Sequence, residues 1–170
     1  MRRRLTFFII FTVLAVTGSA ESLTVEIFEV AQEQGYVSMG TVTFADGDYG
    51  LMITPNITGL EIGNHGFHLH QTPSCINFGL AAQGHVDPQQ TGKHLGPYQG
   101  GGHQGDLPLL AADHTGRART PLLAPQLKVA DLKGHALIIH RGGDNYSDSP
   151  LPLGGGGDRV GCGVVESSRK

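Results

Sequence analysis

Glycine and proline interrupt this chain so often that little room is left for long helices. Its 170 residues include 26 Gly and 9 Pro, which destabilise helix interiors and mark turns. The Gln34-Gly35 and Asp46-Gly47 pairs are expected to form turns. Short runs with strand-like patterns lie between such breaks: 23–30, 37–44, 49–54, 66–70, 136–141 and 159–166. We therefore predict an all-β fold, either a sandwich or a barrel.

The first twenty residues have the layout of a cleavable secretory signal. Three arginines at 2–4 precede an apolar run over 5–16, and small residues follow at 18–20. The apolar run is shorter than the roughly 20 residues of a membrane span. We predict cleavage after Ala20 and one mature domain over 21–170, with no membrane association after cleavage. An uncleaved N-terminal anchor is the alternative.

Removal of this segment makes the chain more acidic. Three of the twelve Lys and Arg precede position 21, whereas all fifteen Asp and Glu follow it, so nine basic against fifteen acidic residues leave a charge of −6. No basic block remains, which argues against nucleic acid as a partner. The remaining chain has the length of one domain with its own core.

The chain contains two cysteines, Cys75 and Cys162. Because an exported protein meets an oxidising compartment, we predict that they form one disulfide. Such a bond would close a loop of about 88 residues, and loop entropy alone assigns it roughly 4–5 kcal/mol. Two free buried thiols are the alternative.

Two long stretches have little strand propensity. The first, over 70–116, is rich in Gly, Pro, His and Gln, and the second, over 142–158, contains four consecutive glycines. The second stretch lacks the Lys and helix start of a phosphate-binding loop, so we predict a flexible loop. A loop as long as the first is either functional or disordered in a compact domain, and its histidines suggest that metal holds it.

Histidines and one aspartate supply a set of potential metal ligands. His68 and His70 are two apart in a predicted strand and project from the same face; taken alone, such a pair is more often structural. Three imidazoles and a carboxylate that follow form a closed four-donor set of the kind zinc takes. Nitrogen-rich sets favour copper and zinc over magnesium and calcium. The seven predicted ligands are His68, His70, His85, His94, His103, Asp106 and His140.

Five motifs along the chain resemble those of the copper/zinc superoxide dismutases, in the same order and with the same spacing. They are Gly66-Phe-His-Leu-His70, Gly84-His85-Val-Asp-Pro88, Gly92-Lys-His94-Leu-Gly-Pro97, His103-Gln-Gly-Asp106-Leu and Gly157-Asp-Arg159-Val-Gly-Cys162-Gly-Val-Val165. The signal and the stretches 106–109 and 142–145 resemble the bacterial periplasmic branch. The resemblance covers nearly all of 21–170. It implies a Greek-key β-barrel or sandwich of immunoglobulin-like architecture with two long functional loops.

The resemblance also implies roles for individual side chains. Four residues match the copper ligands: His68, His70, His85 and His140. Four match the zinc ligands: His85, His94, His103 and Asp106. His85 would therefore serve both metals, with one copper and one zinc per subunit. Asp144 matches a carboxylate that orients metal-bound histidines, Arg159 matches a guanidinium facing the copper, and Cys75 with Cys162 matches the family disulfide.

The function implied by the resemblance is dismutation of superoxide in the periplasm. Superoxide would yield dioxygen and hydrogen peroxide by alternate reduction and reoxidation of copper, with His85 and Arg159 as catalytic residues and a homodimer as one possible assembly. A net charge of −6 repels this anion on average. Because the Debye length is about 8 Å in physiological salt, the charges near the copper decide how efficiently superoxide is captured. Lys93 and Arg141 are further candidates for attracting it, whereas 75–85 contains no charged residue.

Three other functions fit parts of the pattern. A non-catalytic periplasmic copper/zinc-binding protein on the same fold would be expected to have lost Arg159, His85 or His140, and all three are present. A zinc hydrolase needs an open zinc position and a nearby general base, which a four-ligand set does not offer. An adhesion or structural sandwich explains the strands and leaves the seven ligands without a role.

Overall fold

The computed structural model describes residues 21–30 and 37–167. Its strands are β1 (Ser22–Glu29), β2 (Ser38–Gly47), β3 (Gly50–Ile57), β4 (Gly63–His65), β5 (Phe67–His70), β6 (Leu110–Ala112), β7 (Leu122–Ala124), β8 (His135–His140) and β9 (Arg159–Val165). Short 3₁₀ segments occur at Leu80–Ala82, Val129–Leu132 and Pro152–Gly155. The described residues contain no α-helix, and accordingly none that could cross a membrane. The predicted signal segment and the Gln34-Gly35 turn lie outside them.

Seven of the strands form one curled antiparallel sheet in the order β5-β8-β9-β1-β2-β3-β7, and β4 pairs with β6. The first and last strands of the chain, β1 and β9, pair with each other, a long-range pairing of the kind found in Greek-key folds. The β2–β3 hairpin turns at Asp48 and Tyr49, because Gly47 pairs with Gly50. The Asp46-Gly47 pair, predicted as this turn, therefore ends β2. The predicted all-β fold class is confirmed.

The core lies between the inward faces of the strands. Alternation along β3 buries Leu51, Ile53 and Ile57 and leaves Met52 exposed, as a sheet with one buried face requires. β5 and β8 depart from this pattern because nearly all of their residues are buried. One face of these two strands packs into the core, and the two long loops cover the other.

Backbone hydrogen bonds attach the first long loop to the edge of β5 that does not pair with β8. Leu69 N donates to Gly105 O at 2.8 Å, and Val86 N donates to Leu69 O at 2.9 Å. A Cβ at position 105 would lie 2.2 Å from Leu69 O, so only glycine allows this approach. The Cys75–Cys162 disulfide ties the same loop to β9, which confirms the predicted bond.

Candidate metal centre

Two four-residue clusters of potential metal ligands lie under the long loops, and they share one residue. β5 supplies His68 and His70 to the first cluster, the end of β8 supplies His140, and the loop supplies His85. The second cluster has its members in the first long loop: His85, His94, His103 and Asp106. Within each cluster, one ligand atom from every residue lies within 4.8 Å of the others. The structure thus brings together all seven predicted ligands.

The second cluster converges on one carboxylate oxygen. Asp106 Oδ1 lies 2.9 Å from the Nδ1 atoms of His85 and His94 and 3.4 Å from that of His103. The Nδ1 atoms of His94 and His103 nevertheless have no hydrogen bond of acceptable geometry. Three ring nitrogens and a carboxylate oxygen therefore surround a common centre, as in a tetrahedral zinc site.

In the first cluster, three of the four rings use one nitrogen for a hydrogen bond outside the cluster and leave the other facing inward. His68 Nε2 donates to Asp144 Oδ2 at 2.7 Å, His70 Nδ1 to Gln83 O at 2.7 Å, and His140 Nδ1 to Gly157 O at 3.0 Å. The remaining nitrogens, His68 Nδ1, His70 Nε2 and His140 Nε2, are buried without a partner. An imidazole whose only N–H is engaged outward presents a lone pair inward, so these residues fit a transition metal.

Burial keeps the first cluster neutral. Desolvation lowers the pKa of His70 to about 2, of His68 to about 3 and of His140 to about 4, and it also lowers the pKa of His85. These rings are therefore unprotonated at neutral pH and available as ligands.

His94 differs from the other rings because it lies between two carboxylates. Burial would lower its pKa, but the neighbouring carboxylates of Asp106 and Asp144 raise it to about 9. Burial would likewise raise the pKa of both carboxyls, yet the hydrogen bonds from the histidines hold them well below their usual range. Both carboxylates are thus ionised and keep His94 in place.

Asp144 connects the two clusters by accepting a hydrogen bond from one histidine of each. Its Oδ2 accepts from His68 at 2.7 Å and its Oδ1 from His94 Nε2 at 2.8 Å, the arrangement expected for this residue. A Cβ on Gly154 would lie 2.1 Å from Asp144 Oδ1, so the backbone of the second long loop packs directly on this link.

Arg159 begins β9 beside the first cluster. Its guanidinium donates to Gly79 O, and its Nη2 donates to Gln83 O at 2.6 Å. The carbonyl of Gln83 therefore accepts hydrogen bonds from both Arg159 and His70. Gln83 has φ 64° and ψ −146°, a conformation that is nearly restricted to glycine.

A cleft of about 680 Å³ opens above Arg159 and His140. Its rim is apolar and includes Phe78, Leu80 and Leu153, and its other charged residues are Glu29, Arg141 and Asp158. The guanidinium of Arg141 binds Glu61 at 2.6 Å and lies 3.8 Å from Asp158, so its charge is largely compensated. Lys93 is not among the residues that line this cleft.

Several residues that organise the site were not among the predicted site residues. Gln83 acts through its backbone carbonyl, which any residue possesses. The buried ring of His65 has Nδ1 2.8 Å from His140 O and Nε2 2.9 Å from Glu61 O, and so it ties the end of β8 to the turn before β4. Tyr146 packs between the loops, and the glycine-rich sequence around it predicted only flexibility.

Comparison with known proteins agrees with this arrangement. The family described as copper/zinc superoxide dismutase (SODC) matches residues 38–165. A superoxide dismutase (Cu-Zn) of Legionella pneumophila is 49% identical over 158 residues, which cover 93% of each chain. A superoxide dismutase (Cu-Zn) of Actinobacillus pleuropneumoniae is 47% identical over 161 residues, or 89% of this chain and 85% of the relative.

Solved structures give the same result. The Cu/Zn superoxide dismutase from Brucella abortus has a TM-score of 0.81 and 45% identity, and the match covers 86% of this chain and all of that one. The solution structure of the monomeric copper, zinc superoxide dismutase from Salmonella enterica has a TM-score of 0.74 and 46% identity with the same coverage. Fold, ligand clusters and sequence similarity over most of the chain agree, and the chain belongs to the copper/zinc superoxide dismutase family.

Proposed function

We propose that this protein converts superoxide to dioxygen and hydrogen peroxide, with copper held by the first cluster and zinc by the second. The observation that carries the proposal is the sharing of His85 between two buried four-residue clusters, whose unpartnered ring nitrogens point inward. Family membership supports the same metals and the same substrate. The copper ligands would be His68, His70, His85 and His140. The zinc ligands would be His85, His94, His103 and Asp106.

Bound copper would supply a one-electron redox couple, which accepts an electron from one superoxide and returns it to another. The residues of the chain deliver the anion and the proton. Arg159 places a positive charge beside His140 at the base of the cleft, where it attracts and orients superoxide. His85 can hold a proton on the ring nitrogen that faces the first cluster and pass it to the reduced oxygen species. Two superoxide ions and two protons then give one dioxygen and one hydrogen peroxide.

The second cluster would position His85 and order its loop. Three imidazoles and one carboxylate would supply the four ligands that zinc takes in structural sites, which would leave no position for a hydrolytic water. This closed set argues against the zinc hydrolase. The non-catalytic metal-binding alternative is not favoured either, because His85, His140 and Arg159 are all present. His85 and His140 belong to the first cluster, and His140 and Arg159 line the same cleft.

We further propose that the protein acts in the periplasm after cleavage at Ala20. The signal-like segment at 1–20 supports export, and the disulfide is compatible with an oxidising compartment. Homodimer formation stays a prediction, and sedimentation of the purified mature chain tests it; the Salmonella relative is described as monomeric.

A superoxide-removal assay on purified protein tests the proposed activity. Activity should disappear when copper is stripped and return in proportion to copper content when copper is restored, with zinc content constant throughout. Activity that does not follow copper occupancy would contradict the proposal.

A further inference from the structure

The segment from Tyr146 to Asp148, in the second long loop, contacts the backbone at His94 and at Gly96, two residues further along. We propose that Tyr146 and Asp148 are positioning residues that fix the geometry of the second cluster and thereby its affinity for zinc. This inference rests on the proposed assignment of His94 to zinc.

Tyr146 contacts three parts of the site at once. Its backbone N–H donates to Asp144 Oδ1 at 2.7 Å, and its hydroxyl accepts from Leu109 N at 3.1 Å. Its side chain packs closely against Gly96, since a Cβ there would be 2.5 Å from Tyr146 Cγ. The N–H of Gly96 in turn donates to Asp106 Oδ2 at 3.2 Å. Tyr146 therefore packs against the Gly96 peptide, whose N–H binds Asp106, the only carboxylate among the four proposed zinc ligands.

The conformation of Tyr146 is unfavourable on its own. Its φ is 56°, a left-handed value that bulky residues rarely adopt. Residues keep such conformations only when surrounding contacts require it, and they concentrate at functional sites. The contacts with Asp144, Leu109 and Gly96 supply that requirement here.

Asp148 binds the backbone of His94 directly. Its Oδ2 accepts from the backbone N–H of His94 at 2.9 Å, and its Oδ1 accepts from Leu153 N at 3.1 Å. His94 is thus fixed at its backbone by Asp148 and at its Nε2 by Asp144. With His94 fixed in this way, its Nδ1 lies 2.9 Å from Asp106 Oδ1.

Zinc affinity of the copper-free, disulfide-bonded protein tests this inference. Partners of metal ligands typically change metal affinity 10–100-fold, so Tyr146→Ala should weaken zinc binding by roughly tenfold in competition with a chromophoric chelator. Asp148→Asn should weaken it by roughly threefold to tenfold, and Tyr146→Phe, which keeps the ring on Gly96, by less than Tyr146→Ala. The absorption spectrum of cobalt bound in place of zinc should change in Tyr146→Ala.

Tyr49→Ala is the matched control, because Tyr49 is 82% exposed in the β2–β3 turn. It should keep the parent zinc affinity and cobalt spectrum. Thermal unfolding of the metal-free variants separates positioning from general stability, since a merely structural role lowers the Tm and leaves zinc affinity unchanged. Tyr146→Ala with a zinc Kd within twofold of the parent and an unaltered cobalt spectrum would overturn the inference.

Asp148 is exposed, so Asp148→Asn gives a second test if Tyr146→Ala does not fold. Parent-like zinc affinity in Asp148→Asn would then overturn the inference by itself. The zinc affinity of the parent protein distinguishes failure of this inference from failure of the proposed zinc site. A parent that binds no zinc would refute the assigned zinc site, whereas a parent that binds zinc no better than the variants would refute only the positioning role.

Discussion

At the scale of single residues, the candidate site depends on backbone carbonyls as much as on histidines. Gln83 O orients both His70 and Arg159, and Gly157 O orients His140. A backbone carbonyl fixes which ring nitrogen carries the proton and therefore which one faces the metal. The loop that contains Gln83 thus orients both the His70 ring and the Arg159 guanidinium beside it.

The strain at Gln83 gives a stability prediction. Its conformation costs about 1–3 kcal/mol in a non-glycine residue, whereas glycine there would lose roughly 0.5–1 kcal/mol through unfolded-state entropy. Gln83→Gly should therefore raise the free energy of unfolding by about 1 kcal/mol, while the carbonyl still serves His70 and Arg159. Urea unfolding of the metal-free protein measures the change, and a lower free energy of unfolding would contradict it.

Arg159 gives a prediction about substrate capture. Arg159→Ala should lower kcat/KM about tenfold at low salt and flatten its dependence on ionic strength, with copper and zinc content unchanged. The kcat/KM of Arg159→Lys should lie between those of the parent and Arg159→Ala, because lysine keeps the charge and loses the paired contacts with Gly79 and Gln83. Stopped-flow superoxide decay against salt concentration provides the measurement. Parent activity of Arg159→Ala at low salt would refute this role.

At the scale of elements, two loops convert one face of β5 and β8 into a buried site. Alternation along β5 turns Phe67 and Leu69 into the core and leaves His68 and His70 under the loops. The loops reach the strands through close backbone contacts, notably at Gly105, and through the disulfide to β9. The metal ligands are therefore held by a strand on one side and by loops on the other.

Gly105 provides the test at this scale. A methyl group there meets Leu69 O at 2.2 Å and Val86 N at 2.7 Å, and neither backbone can move without disturbing β5 or the loop. Gly105→Ala should reduce the free energy of unfolding by about 1–3 kcal/mol and lower zinc content after loading with one equivalent. Gly100→Ala is the control, because a Cβ there has no neighbour within 4 Å. Equal zinc content in both variants would contradict this account of the loop.

The sequence predicted every strand of four or more residues and none of the three-residue strands. β1, β2, β3, β5, β8 and β9 coincide within a few residues with runs of strand-like pattern. In contrast, β4, β6 and β7 have three residues each, and pairing with distant partners stabilises them more than their own composition. β6 even lies within the stretch over 70–116, which showed almost no strand propensity.

The seven candidate ligands were visible in the sequence because histidine and aspartate motifs occur at fixed spacings. Asp144 was identified only through the family resemblance. Tyr146 and Gln83 were not identified, because their contribution comes from ring packing and from a backbone carbonyl. Both properties depend on loop conformation, which residue type and spacing do not specify.

At the scale of the whole molecule, the charge opposes the proposed substrate. Residues 21–170 carry −6, since nine basic residues face fifteen acidic ones. In the cleft, Arg159 and Arg141 are balanced by Glu29 and Asp158. Local charge near the site is therefore close to neutral, and residues 75–85 contain no charged side chain.

This balance predicts faster capture when an acidic residue is removed from the cleft. A unit charge about 10 Å from the anion path contributes about 0.4 kcal/mol in water, so Glu29→Gln should raise kcat/KM about twofold at low ionic strength and little at high ionic strength. Glu166→Gln is the control, because it follows β9 roughly 20 Å from Arg159 along an extended strand. An equal effect of the two variants would show that only net charge matters.

The sharing of His85 between two metals is the central claim, and electron paramagnetic resonance tests it most directly. Copper(II) is placed in the first cluster and cobalt(II) in the second, and the copper signal is recorded with and without cobalt. If one imidazole bridges the two ions, their unpaired electrons couple, so the copper signal should disappear with cobalt and return when zinc replaces it. A copper signal that is unchanged by bound cobalt would contradict the shared ligand.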